Sequence, residues 1–204
     1  MKPVDSGQRI VNRGQAAPCA APLSTIHYPV STALIIGYGN PLRSDDGFGW
    51  HAGRLLAQAL ARHNAEVITC HQLTPELAEP LSRSSWAVFI DADAQVKPGD
   101  VHRRAVRPQV AAPPAFTHSC TPSGLLASAK RLYGHQPRAV AITVSAQSFA
   151  FGESLSPVVS AALPKVVDQV RQWLRIAGAN SVARVLSSPK RQRYLSKRQR
   201  RIRA

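Results

Sequence analysis

The 204-residue chain is short of acid, of cysteine and of long apolar runs, and each shortage excludes something. Its 11 Asp and Glu face 26 Lys and Arg, for a formal net charge of +15. Such a balance suggests nucleic acid as a partner, but the excess is uneven. From Arg184 onward come Lys190, Arg191, Arg193, Lys197, Arg198, Arg200, Arg201 and Arg203, with no acid at all. A segment of that kind cannot bury enough apolar surface to fold. Residues 178–204 are therefore predicted to be a basic, disordered tail, meeting nucleic acid only nonspecifically. The head, residues 1–31, carries Pro3, Pro18, Pro22 and Pro29 without periodic pattern and is predicted to be a flexible extension.

The three cysteines, Cys19, Cys70 and Cys120, are an odd number at unrelated spacings. They speak against a disulfide framework and for a reducing compartment. No apolar run approaches the length of a membrane span, and no apolar stretch of the signal-peptide kind follows Lys2. The expected location is the cytoplasm, with no membrane partner. A further absence concerns glycine. The sequence G-Y-G-N at Gly37–Asn40 begins like a dinucleotide fingerprint, but Leu42 stands where its third glycine belongs. The acids that follow would also repel a pyrophosphate.

What is present centres on Ala33 to Gly49, A-L-I-I-G-Y-G-N-P-L-R-S-D-D-G-F-G. Its apolar run has the length of a buried strand. Gly37, Gly39, Asn40 and Pro41 supply a sharp turn. Ser44, Asp45 and Asp46 then have helix-start chemistry, one Asp being expected to cap a helix over residues 46–62. This places two carboxylates at the mouth of an α/β crossover, where open sheets usually hold ligands.

Further along, Ala65–Cys70 reads as a strand, and Thr74-Pro75 as the start of a helix reaching Ser82. Trp86–Ile90 is a continuous apolar run ending on Asp91-Ala92-Asp93, and Val101–Val106 alternates as an edge strand. Thr121-Pro122 opens another helix stopped by Gly134, and Ala139–Ala146 is a β-rich run. Ser156-Pro157 opens a last helix with Val159, Leu163, Val166, Val167, Val170 and Leu174 as its apolar stripe. The alternation predicts an α/β fold. It is a three-layer αβα sandwich with a mainly parallel twisted sheet of about five strands, an antiparallel edge and helices on both faces. Its domain is placed at residues 32–177.

Parallel strands bring their C-terminal ends to one rim, so Asp46 and Asp91 should lie close together, with His118 within reach from the following loop. Two carboxylates and an imidazole form an open set suited to a borderline divalent metal. The same set suits general acid–base work, and chemistry alone leaves both open. Cys70-His71 lacks the spaced partners of a zinc site. His118 and Cys120, at i and i+2, do not face one another on a helix and do not make a nucleophile pair. His27, His51, His63, His102 and His135 are expected in solvent or core.

The motif at Gly37–Gly49 resembles the opening motif of the maturation proteases of nickel–iron hydrogenases. Gln72–Leu77, Val88–Ala92, Thr117–Leu126 and Gly152–Val159 resemble later segments of that family in the same order. The resemblance implies an aspartic-type endopeptidase that removes a C-terminal peptide from the large-subunit precursor after nickel insertion. It implies that the family's nickel-sensing residues fall on Asp46, Asp91 and His118, the catalytic and metal-contacting set. Gly37, Gly39, Asn40 and Asp45 would support them. The nickel is expected to come with the substrate, none being stored, and the enzyme is expected to be a monomer. Asp46 is the first candidate to activate water and the nickel the second. A homologue that binds without cutting, or a nucleic-acid-associated protein, are the alternatives.

Overall fold

The computed structural model describes residues 33–186 except 62, 95–96 and 110–119, and within the last helix the side chains only as far as Arg175. Residues 1–31, most of the tail and His118 lie outside the described residues. Five strands form one sheet in the order β2-β1-β3-β5-β4. They are β1 (Ala33–Tyr38), β2 (Ala65–Cys70), β3 (Trp86–Asp93), β4 (Val101–Val106) and β5 (Arg138–Ser145). All neighbours are parallel except β4, which runs antiparallel along β5 at the edge. The expected mainly parallel sheet with an antiparallel edge is the observed one.

The helices are α1 (Phe48–Ala59), α2 (Ala78–Ser82), α3 (Pro122–Tyr133), α4 (Pro157–Ser160) and α5 (Leu163–Leu186). Because side chains alternate across a strand, β1 feeds two cores at once. Ala33 and Ile35 pack with Phe48, Ala52 and Leu56 of α1 and with Val159, Val166 and Val170 of the last helices. Leu34 and Ile36 pack with Leu77, Ala78 and Leu81 and with Leu125, Leu126 and Ala129 of α3. A strand buried on both faces has to be apolar throughout, which is why Ala33–Ile36 shows no polar alternation. Trp86 of β3 meets Trp173 of α5 edge to face at 5.0 Å, locking the long helix across the sheet.

Several helix starts differ from expectation. Thr121 does cap α3, its Oγ1 accepting from the Gly124 N–H at 3.1 Å. Thr74 makes no cap bond, and Pro75–Leu77 forms a 3-10 turn before α2. Neither Asp45 nor Asp46 caps α1, which starts only at Phe48 after a 3-10 turn over Ser44–Gly47. The last helix is broken between Ser160 and Leu163. Pro164 has no N–H and its ring would crowd the Ser160 carbonyl in a continuous helix. The apolar stripe nevertheless packs as one row against the first core. The last helix also runs to Leu186, past residue 177, where the sequence reading placed the domain end. No helix among the described residues is long and apolar enough to cross a membrane.

Candidate functional site

The C-terminal ends of β1 and β3 lie side by side, Gly37 being paired with Ile90. The next residues, Tyr38 and Asp91, therefore neighbour one another on the rim, on the sheet face that also carries Ile36 and Phe89. Asp91 stands at the end of its strand as expected, among the last three residues of β3, which continues to Asp93 alongside Thr143–Ser145.

The loop after β1 returns Asp46 to the same rim. Gly39 turns there with φ 129, a conformation that side chains rarely adopt. A Cβ on Gly39 would collide with the Asp46 carbonyl oxygen and would stand 3.8 Å from Asp91 Oδ1. Gly37 is needed for a different reason, since a Cβ there would collide with the Gly49 carbonyl where α1 crosses β1. Asn40 donates its N–H to Asp46 Oδ2 at 3.0 Å, and its own Oδ1 accepts from the Leu42 N–H at 3.0 Å. The supporting roles expected of Gly37, Gly39 and Asn40 thus have a steric or hydrogen-bonding basis.

The two acids of the motif have opposite surroundings. Asp45 is fully buried. Its Oδ2 accepts from the Gln147 and Ser148 N–H groups at 2.9 and 3.0 Å and from Ser156 Oγ at 2.9 Å. Its Oδ1 accepts from the Ser156 N–H at 2.7 Å. Asp45 is thereby the anchor of the 147–156 loop on the motif loop, and Ser156, expected to start a helix, gives its hydroxyl to Asp45 instead of capping α4. Further bonds finish the seam: Ser44 N–H to Gly152 O at 2.8 Å, Gly152 N–H to Leu42 O at 3.0 Å, and Ser44 Oγ to Ala150 O at 3.1 Å. Ser44 is held there at φ 46, the left-handed region uncommon for a residue with a Cβ.

Asp46 and Asp91 are only partly buried and less fully occupied. Asp91 Oδ1 accepts from the Ala92 N–H at 2.8 Å. Burial pushes the Asp91 carboxyl up to about 7, helped by the charges of Asp46 and Asp93, while the nearby Tyr38 hydroxyl and the Ala92 N–H pull it down. Burial, with the charge of Asp91, pushes the Tyr38 phenol up in turn. Cys70, paired with Tyr38 on β2, is raised by burial and by the same Asp91 charge. Next to Asp91 on the strand face, Asp93 Oδ2 accepts from Thr143 Oγ1 at 2.6 Å.

This arrangement concentrates negative charge at one rim without a protein cation bonded to either carboxylate among the described contacts. Each carboxylate retains lone pairs free to accept, the condition for binding a divalent cation or a proton. Among the described residues no three His, Cys, Asp or Glu side chains are gathered into a metal-holding group. The third member of the sequence-predicted set is His118, outside the described residues. Of the other histidines, His102 Nε2 lies 3.3 Å from Ser145 Oγ and His135 Nε2 lies 3.1 Å from the Ser84 carbonyl. His51 stacks edge-on against Trp50.

No family model and no curated protein sequence matches the chain. Solved structures do match. The hydrogenase maturating endopeptidase HybD from E. coli aligns with a TM-score of 0.56 at 22% identity, over 72% of this chain and 93% of that one. The [NiFe] hydrogenase maturation protease HycI from Thermococcus kodakarensis aligns with a TM-score of 0.59 at 18% identity, over 71% and 93%. The chain has the hydrogenase maturation endopeptidase fold. A hydrogenase 2 maturation peptidase from a Thaumarchaeota archaeon gives a TM-score of 0.54 at 24% identity, over 70% and 97%. Nearly the whole of each of these endopeptidases is therefore spanned, and the part of this chain left over is of the size of its head and tail.

Sequence spacing does not reveal Gln147, Ser148 and Ser156 as partners of Asp45, since no local pattern points across so long a stretch of chain. For Tyr38 a signal exists, because i, i+2 alternation from Ile36 puts it on the face of Asp91.

Proposed function

We propose that this protein is an endopeptidase that trims the C-terminus of a nickel–iron hydrogenase large-subunit precursor. The observation that carries the reading is the under-occupied pair Asp46 and Asp91 on the rim of a sheet with the maturation endopeptidase fold. Nickel enters as part of the substrate. Carboxylate oxygens suit it as donors, and an imidazole from His118 would complete a set of the kind nickel accepts. Asp91, raised by burial and by its acidic neighbours, gives up its proton more readily once a cation is beside it. Metal loading of the precursor would thus decide whether the two carboxylates are relieved of their mutual repulsion, and so whether the precursor docks.

Asp46 is the residue best placed to take a proton from the attacking water. Its Oδ2 is tied to the Asn40 N–H, which fixes the carboxylate while leaving the other oxygen to accept. Asp91 and His118 then hold the metal-bearing end of the precursor in register with the scissile bond. Asp45 takes no part in this chemistry and shapes the loop from behind.

The reading is tested by incubating the purified protein with large-subunit precursor, nickel-loaded or nickel-free, and measuring intact masses. Loss of a C-terminal peptide from the loaded form alone is the expected result. Asp46→Asn should slow it by between about 100- and 10,000-fold, the range for loss of a general base. Equal trimming of both precursor forms would remove nickel from the mechanism. No trimming of precursors from several hydrogenase types would leave a binding homologue.

A further inference from the structure

The 147–156 loop follows β5 at the rim of the site, where the Ala146 N–H donates to the Asp93 carbonyl at 2.8 Å. Leu155 of this loop turns inward onto the first core, but Phe151 does not. Phe151 is 93% exposed, more than any other large apolar residue described, and Leu42 of the motif loop is 54% exposed. The parallel bridge between Arg43 and Gly152 brings the two together, each standing one residue before its bridge partner. We infer that Leu42 and Phe151 form an apolar docking point for the precursor, taking an apolar side chain of the segment around the scissile bond. The inference rests on Asp46 and Asp91 being the pair that meets the substrate.

Continuity with the site identifies the occupant. Asn40 donates its N–H to Asp46 Oδ2 and accepts from the Leu42 N–H through Oδ1, both at 3.0 Å. One residue therefore fixes the carboxylate and the start of the apolar seam. A chain laid along that seam arrives at Asp46, where a precursor has to present its scissile bond. Leu132 and Tyr133 are exposed as well, but they end α3 beside the start of β5, at the opposite edge of the sheet. The seam is also held in place. The Gly152 N–H donates to the Leu42 carbonyl, and Arg43 donates from Nε and a terminal nitrogen to the Phe149 carbonyl at 3.3 and 3.2 Å. With Asp45 fastening the same loop from beneath, Phe151 is presented on a fixed backbone. A preformed aromatic anchor loses little freedom on binding, and interfaces concentrate their binding energy on such residues. An apolar contact away from the reacting atoms holds ground state and transition state alike, so it acts on KM and leaves kcat alone.

Phe151→Ala tests this, and because the ring is exposed the thermal midpoint should not move. KM for nickel-loaded precursor should rise about 10- to 100-fold, the worth of burying one such side chain, with kcat little changed. Phe151→Leu keeps an apolar side chain and should recover most of the loss. A second readout needs no turnover: in the Asp46→Asn background, the Kd for fluorescently labelled, nickel-loaded precursor should rise by the same factor on adding Phe151→Ala. Native trimming with KM and Kd unmoved by Phe151→Ala would overturn the inference and leave the reading of the site standing. A native dimer that Phe151→Ala converts to monomer in light scattering, with KM unchanged, would give the seam to a second copy and overturn it too. Native protein that neither binds nor trims precursor would overturn the reading of the site, and the docking point with it.

Discussion

Asp45 and Asp46 are adjacent in the chain and chemically identical, and the fold treats them as opposites. Asp45 points inward, is completely buried and accepts four hydrogen bonds from the 147–156 loop. Asp46 points to the rim, accepts one described bond and faces a second acid. A carboxylate saturated by protein donors is a structural fastener, whereas one left with free lone pairs beside a like charge is poised for a ligand. The 3-10 turn over Ser44–Gly47 makes the separation possible by aiming successive side chains to different sides.

The contrast can be broken by mutation. Asp45→Ala leaves three backbone N–H groups and a hydroxyl without their acceptor, and should cost about 3–5 kcal/mol in urea denaturation. A loss under about 1 kcal/mol would mean that Asp45 is no anchor, since unsatisfied buried donors cost more than that. Gly39→Ala strikes the other side, forcing a side chain against the Asp46 carbonyl and into a strained φ. It should cost about 1–3 kcal/mol and lower trimming as well, measured by thermal melting and by the mass assay.

A pH comparison sharpens the contrast further. Burial holds the Asp91 carboxyl near 7 in the folded protein against an ordinary value of 3.8. Between those values the native state keeps a proton that the unfolded chain has lost. The contribution is therefore complete below about pH 4 and disappears as the pH rises through about 7. Metal-free native protein should lose about 2 kcal/mol relative to Asp91→Asn across that window, after allowance for solvent screening. Parallel stability curves for the two proteins would show that Asp91 is ionised throughout. Smallest of all is the expected effect of Asp46→Asn on stability, within about 1 kcal/mol, because a partly exposed acceptor with one bond is lost. That change would sit beside the largest loss of activity, which is the opposite of Asp45→Ala.

The centre of the sheet was legible because β1 and the first part of β3 are apolar on both faces, and the rim followed from their parallel order. The carboxylate pair was legible for the same reason, since Asp46 and Asp91 each stand just beyond an apolar run. Capping was legible only where no distant group competed. Thr121 follows the rule, but the Ser156 hydroxyl is claimed by Asp45. The capping role expected of one acid of the motif is lost in the same way, Asp45 turning to the 147–156 loop and Asp46 to the rim. Such tertiary claims leave no trace in local spacing, and the partners of Asp45 lie 102 to 111 residues further on.

That separation has a consequence during synthesis. The motif loop is made early, but its fastener closes only on Ser156, so a nascent chain carries Asp45 without its partners while the intervening residues are added. At ribosomal rates of about 5–20 residues per second, a gap of 111 residues lasts about 6–20 s. Within that interval β4 is made first and lacks its sheet neighbour until β5 has been translated. A chain truncated before Ser156 should leave the motif loop unfastened, so the site is completed only after the 147–156 loop has been made.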